Sequence, residues 1–477
     1  MINKISVLYL GIILKLTLSL LTDRYIAINI APEFYGTFKY YVTLITVFST
    51  VTGLGLNVGI VKELSGLEVS ANKQKKVLIF SIVFSLLAAL IFYGLCANGS
   101  ILSGIGIRFT KEFQLISITV IVITLNKLFV SILSINSNVK FKVIVNDLLQ
   151  PLVLFGGVFY LNNISLQNII WVFIFSHFFI CLINIIVFYK SFKLILMSRE
   201  WLSVSIKDYV LYCAPILLTN ILIVLSTEID KLVLSFLISK NSLGIYYTAA
   251  VLSSLLSLIL GTLVFIYLPL ASKMFNEKNY LRASLVSSYV SKWLMLFSFI
   301  PFWALFSFPK DIIILFYSSE YINASKILSI LALAQYVNLS AGFTGQNLIA
   351  LGDSKGQLVI RIIGFVFGFI LTITFGNQYG PEGVAIALIV SLFCTNSLQI
   401  ARIKIKFNIH LYRRANLIGL VFVLIMAILL KIINAFLFNI DSMGLFIINI
   451  ILFGVCLRSF LINKKDIQAF KIIQKLI

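Results

Sequence analysis

Ionisable side chains fall inside long apolar stretches of this sequence: Lys15, Lys127, Lys231, Lys292, Lys326, Arg361 and Lys431, with the acids Asp147, Glu228 and Asp230. A lysine or arginine at mid-membrane depth costs about 2.5–3.5 kcal/mol on insertion scales, so one that persists there is paired or faces water. Near the end of an apolar run the charge snorkels to the interface, which fits Lys292, Lys326, Lys431 and Asp147. Lys15 and Lys127 do not fit: the helical rise puts them about 15 Å and about 21 Å along their runs. Neither has an acid nearby in sequence. We expect both to line a hydrated cavity; the alternative is a structural ion pair or bonding to backbone carbonyls. Glu228 and Lys231 are three apart and can share a helix face as an internal salt bridge; Glu228 and Asp230 are the candidates for ion coupling or gating. Asp230 points elsewhere, with Arg24 or Lys39 as its candidate partner. Arg24 and Lys39 lie near the ends of their runs, as interfacial anchors or cavity residues, and Arg361 is about one turn inside its run. Together Lys15, Arg24, Lys39, Lys127, Lys231 and Arg361 make a positive excess. That suits an anionic substrate, because ammonium and guanidinium groups hold phosphate oxygens.

Other chemistry has less support. The cysteines (Cys96, Cys181, Cys213, Cys394, Cys456) are far apart in apolar stretches and suggest neither a disulfide framework nor a metal site. His177 and His410 are distant from each other and belong to no metal motif. Asp23 and Glu33 stand where a membrane glycosyltransferase or polysaccharide polymerase would hold a catalytic carboxylate. No large loop exists to bind an acceptor, however, and no paired-aspartate motif accompanies them. No cofactor and no catalytic residue is expected. The net charge of +21 would suggest nucleic acid in a soluble protein; in an apolar chain it belongs to cytoplasmic loops.

The elements that must carry these residues follow from composition. The 477 residues are 60% hydrophobic and 12% charged, about half the charge of a soluble chain. A helix needs about 20 apolar residues to cross a hydrocarbon core of about 30 Å, with its backbone groups bonded internally. Breaks at charge clusters and turn residues give spans over 5–29, 37–61, 77–97, 113–137, 143–161, 167–189, 208–238, 243–270, 284–307, 324–350, 356–376, 382–401, 415–437 and 443–462. This is an all-α polytopic membrane protein of about fourteen helices, with no soluble domain of any size. Alternate loops carry about 25 basic residues on one side and about six on the other, which places both termini in the cytoplasm. The N-terminal run follows a single early lysine and lacks a small-residue cleavage site, so it reads as an uncleaved first span. Over 463–477, Ile467, Phe470, Ile473 and Ile477 share one helical face, as in an interfacial helix on the cytoplasmic leaflet.

A short repeat recurs. Phe34-Tyr35-Gly36-Thr37-Phe38 enters the second span, and Ser242-Leu243-Gly244-Ile245-Tyr246 enters the eighth. An even number of helices between them gives the two copies one orientation, as in parallel-repeat transporters. With Pro32-Glu33-Phe34-Tyr35-Gly36 go Gly53-Leu54-Gly55-Leu56, Asp230-Lys231, Leu268-Pro269-Leu270, Gln346-Asn347-Leu348-Ile349-Ala350-Leu351-Gly352 and Tyr379-Gly380-Pro381-Glu382-Gly383. In these motifs, over about 5–405, the chain resembles the polysaccharide-transporter branch of the MOP exporter superfamily, the O-antigen-type lipid-linked oligosaccharide flippases. It departs in having Asp353-Ser354-Lys355 where Gly-Lys often follows Leu-Gly. The resemblance implies six-helix lobes over 1–200 and 201–408, around a central cavity with charged, often basic, residues. Two added helices over 409–462 and the tail 463–477 follow. The implied substrate is an undecaprenyl-diphosphate-linked sugar moved from the inner to the outer leaflet by alternating access. Membrane lipids would be partners, and a polysaccharide polymerase and chain-length regulator are further candidates. A multidrug exporter of the same superfamily is the rival; it would favour acids in the cavity, where this chain has mainly lysines.

Overall fold

The structure, a computed structural model, describes residues 2–64, 71–97, 111–135, 141, 143–196, 206–277, 280–409 and 425. Apart from residue 425, the last two expected spans lie outside these, as do the 463–477 helix, His410, Lys431 and Cys456. The described residues are almost wholly helical. Seven helices among them are long and apolar enough to cross a membrane. The chain divides into two compact units, Met1–Leu232 and Val233–Ile477.

The first unit contains α1 (Ile2–Asn29), α2 (Pro32–Thr52), α3 (Leu56–Leu64), α4 (Ala71–Ala97) and α5 (Lys111–Ile135). A π-helical stretch (Val143–Leu149) then runs into α6 (Gln150–Phe159), followed by α7 (Leu166–Leu196) and most of α8 (Ile206–Leu237). α5 is its centre and packs on α2, α3, α4 and α7. Leu56, Ile60, Leu78, Leu128 and Ile132 fill the core there, as dense apolar packing requires.

The second unit contains α9 (Lys240–Asn276), α10 (Tyr280–Ser307), α11 (Pro309–Phe316), α12 (Ala324–Ala341), α13 (Thr344–Ala350) and α14 (Ser354–Phe407). α12 is enclosed by α9, α10 and α14. The central helices α5 and α12 are the fourth and tenth expected spans, six apart as a parallel repeat requires. The repeated motif agrees residue by residue: Tyr35, Gly36 and Phe38 are buried with Thr37 partly out, and Leu243, Gly244 and Tyr246 are buried with Ile245 partly out.

Two expected spans are interrupted, and two others are joined in one helix. The run 37–61 breaks between α2 and α3, where Leu54 and Gly55 take φ of 51° and 70°. The run 324–350 breaks at Gly342, with φ of 68°. The two spans 356–376 and 382–401 both lie in α14, whose 54 residues would extend about 80 Å if straight, against a core of about 30 Å. Gly380 breaks that helix at φ 59° and ψ −142°. The two arms then run antiparallel: Ser391 Oγ donates to the Gly364 carbonyl at 3.4 Å, and a Cβ added at Gly364 or Gly368 would strike Thr395 or Ser391. Small residues let membrane helices approach this closely.

Candidate functional site

α2 is too polar on one face to lie against lipid. Tyr35, Lys39, Thr43, Thr46 and Thr50 recur at intervals of three or four, which is one helical face. Over the fifteen residues from Tyr35 to Thr50 the face extends about 22 Å. At one end the Asp23 carboxylate of α1 accepts from the Tyr35 hydroxyl (2.7 Å) and the Lys39 ammonium (2.8 Å). In the middle Thr43 Oγ1 donates to Glu228 of α8 at 3.4 Å, and Glu228 also accepts from Lys231 at 2.7 Å. At the other end Lys127 of α5 donates to Ser49 Oγ (2.9 Å) and Thr50 Oγ1 (3.4 Å).

The expected site residues therefore separate by partner. Lys15 meets Asp147 at 3.1 Å, Lys39 meets Asp23, and Lys231 meets Glu228. Asp147 is buried and paired instead of snorkelling, because α1 lies directly on the π-helical stretch that carries it. Lys39 goes to Asp23 in place of Asp230, which is itself buried. Arg24 is exposed on α1, and Arg361 is half-buried on α14 in the second unit. Lys326, at the start of α12, pairs with Glu382.

Lys127 stands apart, because its hydrogen-bond partners are hydroxyls. It borders a cavity of about 210 Å³ between α2, α4, α5 and α8. Polar walls come from Ser49, Thr50, Thr124, Asn57 and Asn220, and among the described residues no carboxylate lines the space. An ammonium whose hydrogen-bond partners are neutral oxygens has no counter-charge from them and attracts an anion. The α2 stripe was legible in the sequence as a period-3.6 polar pattern inside an apolar run. Attention to charged residues alone overlooked its hydroxyls.

Elsewhere the polar groups serve packing. Asn184 of α7 donates to Asn126 (2.7 Å) and Asn146 (3.2 Å), joining three elements. Asn347, from the Gln346–Gly352 motif, accepts from the Tyr267 hydroxyl at 2.7 Å, and the Tyr267 ring stacks on Phe343. Asp353, in the turn before α14, accepts from Arg402 at 2.6 and 3.1 Å and from Lys406 at 2.8 Å. These hydrogen bonds, Arg402's first, hold its carboxyl well below the usual carboxylate range. No group of three potential metal ligands among His, Cys, Asp and Glu occurs among the described residues.

Helices long and apolar enough to cross a membrane, in two units, with a lysine beside a polar cavity, are the architecture of a multi-pass membrane protein. Residues 1–275 match the family described as polysaccharide biosynthesis protein, and residues 215–374 match the MatE family. The chain belongs to the polysaccharide biosynthesis protein family, of the MOP superfamily. No curated protein matches it in sequence. Among solved structures, lipid II flippase MurJ in an inward closed conformation is similar, with a TM-score of 0.72 at 16% identity over 100% of this chain and 98% of that one. An inward-facing multidrug resistance MATE family transporter gives 0.63 at 14% identity, over 82% and 94%. A MOP superfamily transporter from Pyrococcus furiosus gives 0.58 at 13%, over 85% and 95%. At such identities the likeness is one of fold. By their own descriptions these solved relatives are a lipid II flippase and transporters.

Proposed function

We propose that this protein is a flippase for an undecaprenyl-diphosphate-linked oligosaccharide, an O-antigen-type repeat unit, moved from the inner to the outer leaflet by alternating access. The observation that supports this best is Lys127, an ammonium with hydroxyl partners in a cavity that no carboxylate among the described residues lines. A diphosphate and its sugar do not enter hydrocarbon cheaply, and a polar cavity removes that barrier. The same observation disfavours a drug-cation exporter, whose cavity would need acids. With both termini in the cytoplasm of a bacterial inner membrane, a potential negative inside favours outward movement of the anion by about 2.3 kcal/mol per charge per 100 mV. Arg24, Lys39, Lys231 and Arg361 are secondary candidates in this reading, whereas Lys15 is held to the fold by Asp147. Glu228 and Asp230 are the ion-coupling candidates: Glu228 holds both Lys231 and Thr43, so its protonation would loosen α8 from α2. A polymerase and a chain-length regulator would act on the product.

The test is reconstitution of the full chain in liposomes with a labelled polyprenyl-diphosphate oligosaccharide, following its accessibility from either leaflet. Wild type moves the lipid, Lys127→Ala loses most of the rate while still inserting, and Lys127→Arg keeps part of it. Movement of a cationic dye but not of the glycolipid by wild type would overturn the assignment.

A further inference from the structure

The cavity beside Lys127 coincides with two interrupted helices. α2 ends at Thr52 and α3 begins at Leu56, joined through Gly53-Leu54-Gly55. Leu54 holds a left-handed φ of 51°, a cost that proteins concentrate at functional positions. Gly55 lies against the α8 backbone at Cys213 and Leu217, on either side of Pro215 inside that helix. No side chain fits between them, so the break in α2–α3 is seated on the proline turn of α8.

This seating presents unused donors to the cavity. A helix start has amide N–H groups without intrahelical partners and a partial positive charge. At α3 the N–H groups of Leu56, Val58 and Gly59 bond back to Gly53 and Gly55 carbonyls. That of Asn57, a cavity residue, has no partner among the described residues. From α4, Ser85 also lines the cavity; it is 0% exposed, and its hydroxyl has no partner there either. Lys127 adds its ammonium to the lining. A buried hydroxyl left unmade costs about 1–3 kcal/mol, so the arrangement calls for a ligand rich in acceptors. At about 30 Å³ per water the space holds about seven waters, enough for one or two phosphoryl groups but not a saccharide chain. We propose that the cavity is an oxyanion seat, in which Lys127 Nζ, Ser85 Oγ and the Asn57 N–H grip the phosphate of the substrate's head. The phosphate's identity rests on the flippase reading; the seat itself rests on these donors.

The seat is tested by titrating the purified full chain in nanodiscs with pyrophosphate, and separately with glucuronate, by calorimetry. Wild type should bind pyrophosphate and prefer it to glucuronate. Ser85→Ala should weaken binding about tenfold, the loss of one hydrogen bond to a charged group. Asn57→Pro removes the N–H at a helix first turn, where proline is tolerated, and should weaken binding about as much. Asn57→Ala keeps the N–H and should change it less than about threefold, and Lys127→Met should abolish it. Circular dichroism and gel filtration check folding; should Asn57→Pro fail to fold, Ser85→Ala decides. Wild-type affinity in Ser85→Ala, no pyrophosphate binding by wild type, or tighter binding of glucuronate would each overturn the seat. The liposome assay judges the flippase reading separately, since transport can persist with the seat disproved.

Discussion

Lys15 and Asp147 offer a direct test of whether a membrane lysine serves the fold or the substrate. They are 132 residues apart in sequence and 3.1 Å apart in space. The pair is lopsided, because the Lys15 side chain is 45% exposed and that of Asp147 only 12%. Removing Lys15 strands an enclosed carboxylate, whereas removing Asp147 leaves an ammonium already half outside. Exposed pairs contribute about 0.2–1 kcal/mol and a stranded buried partner costs about 3–5 kcal/mol. Discounting for Lys15's exposure, we expect Lys15→Ala to cost about 2 kcal/mol, Asp147→Ala about 1 kcal/mol, and the double variant about as much as the worse single one. That is a coupling of about 1 kcal/mol, above the additivity error of about 0.3–0.5 kcal/mol for independent sites. Equilibrium unfolding in mixed micelles, followed by loss of helicity, measures the cycle, and transport is measured on the same proteins. Strict additivity would refute the structural account. So would loss of transport in Lys15→Ala with stability unchanged, which would return Lys15 to a substrate contact.

Two further outcomes follow from the second unit. Asp353→Asn should lower stability by about 1–2 kcal/mol at neutral pH, discounted because Arg402 and Lys406 are partly exposed. The wild-type carboxyl is held below its unfolded value, so its contribution is complete above about pH 4 and fades as pH falls further; unfolding of the Asn variant should lack that acid slope. Gly368→Leu should cost about 1–3 kcal/mol, because its Cβ would strike Ser391 of the returning α14 arm, and a lower midpoint in the same micelle titration would show it.

The helices were legible because a membrane span is written locally, as a run of apolar residues of sufficient length. The run 37–61 was nonetheless read as one helix. Hydropathy is blind to backbone angle, and Leu54 is as apolar in a left-handed turn as in a helix. Gly342 escaped notice for the same reason, inside 324–350. The ion pairs were harder still. Lys231 and Glu228 are a helical turn apart and were visible, while Asp147 looked like an interfacial acid until the fold brought it to Lys15. What the sequence held and was not read from it is the α2 stripe of Tyr35, Lys39, Thr43, Thr46 and Thr50, whose members are mostly uncharged.

That stripe explains why the break and the uncompensated charge coincide. Irregular backbone at membrane depth is tolerated only where protein or water covers it, because hydrocarbon satisfies no N–H or carbonyl. An ammonium in the same slab has the same requirement. Had the α2–α3 break and Lys127 been apart, the first unit would need two polar compartments. Here the α8 backbone at Pro215 covers one side of the break, and the cavity borders its other side through Gly53, Asn57 and Lys127. A single polar space then serves both needs. The Lys127 charge is available to a ligand because the hydroxyls of Ser49 and Thr50 orient it without neutralising it.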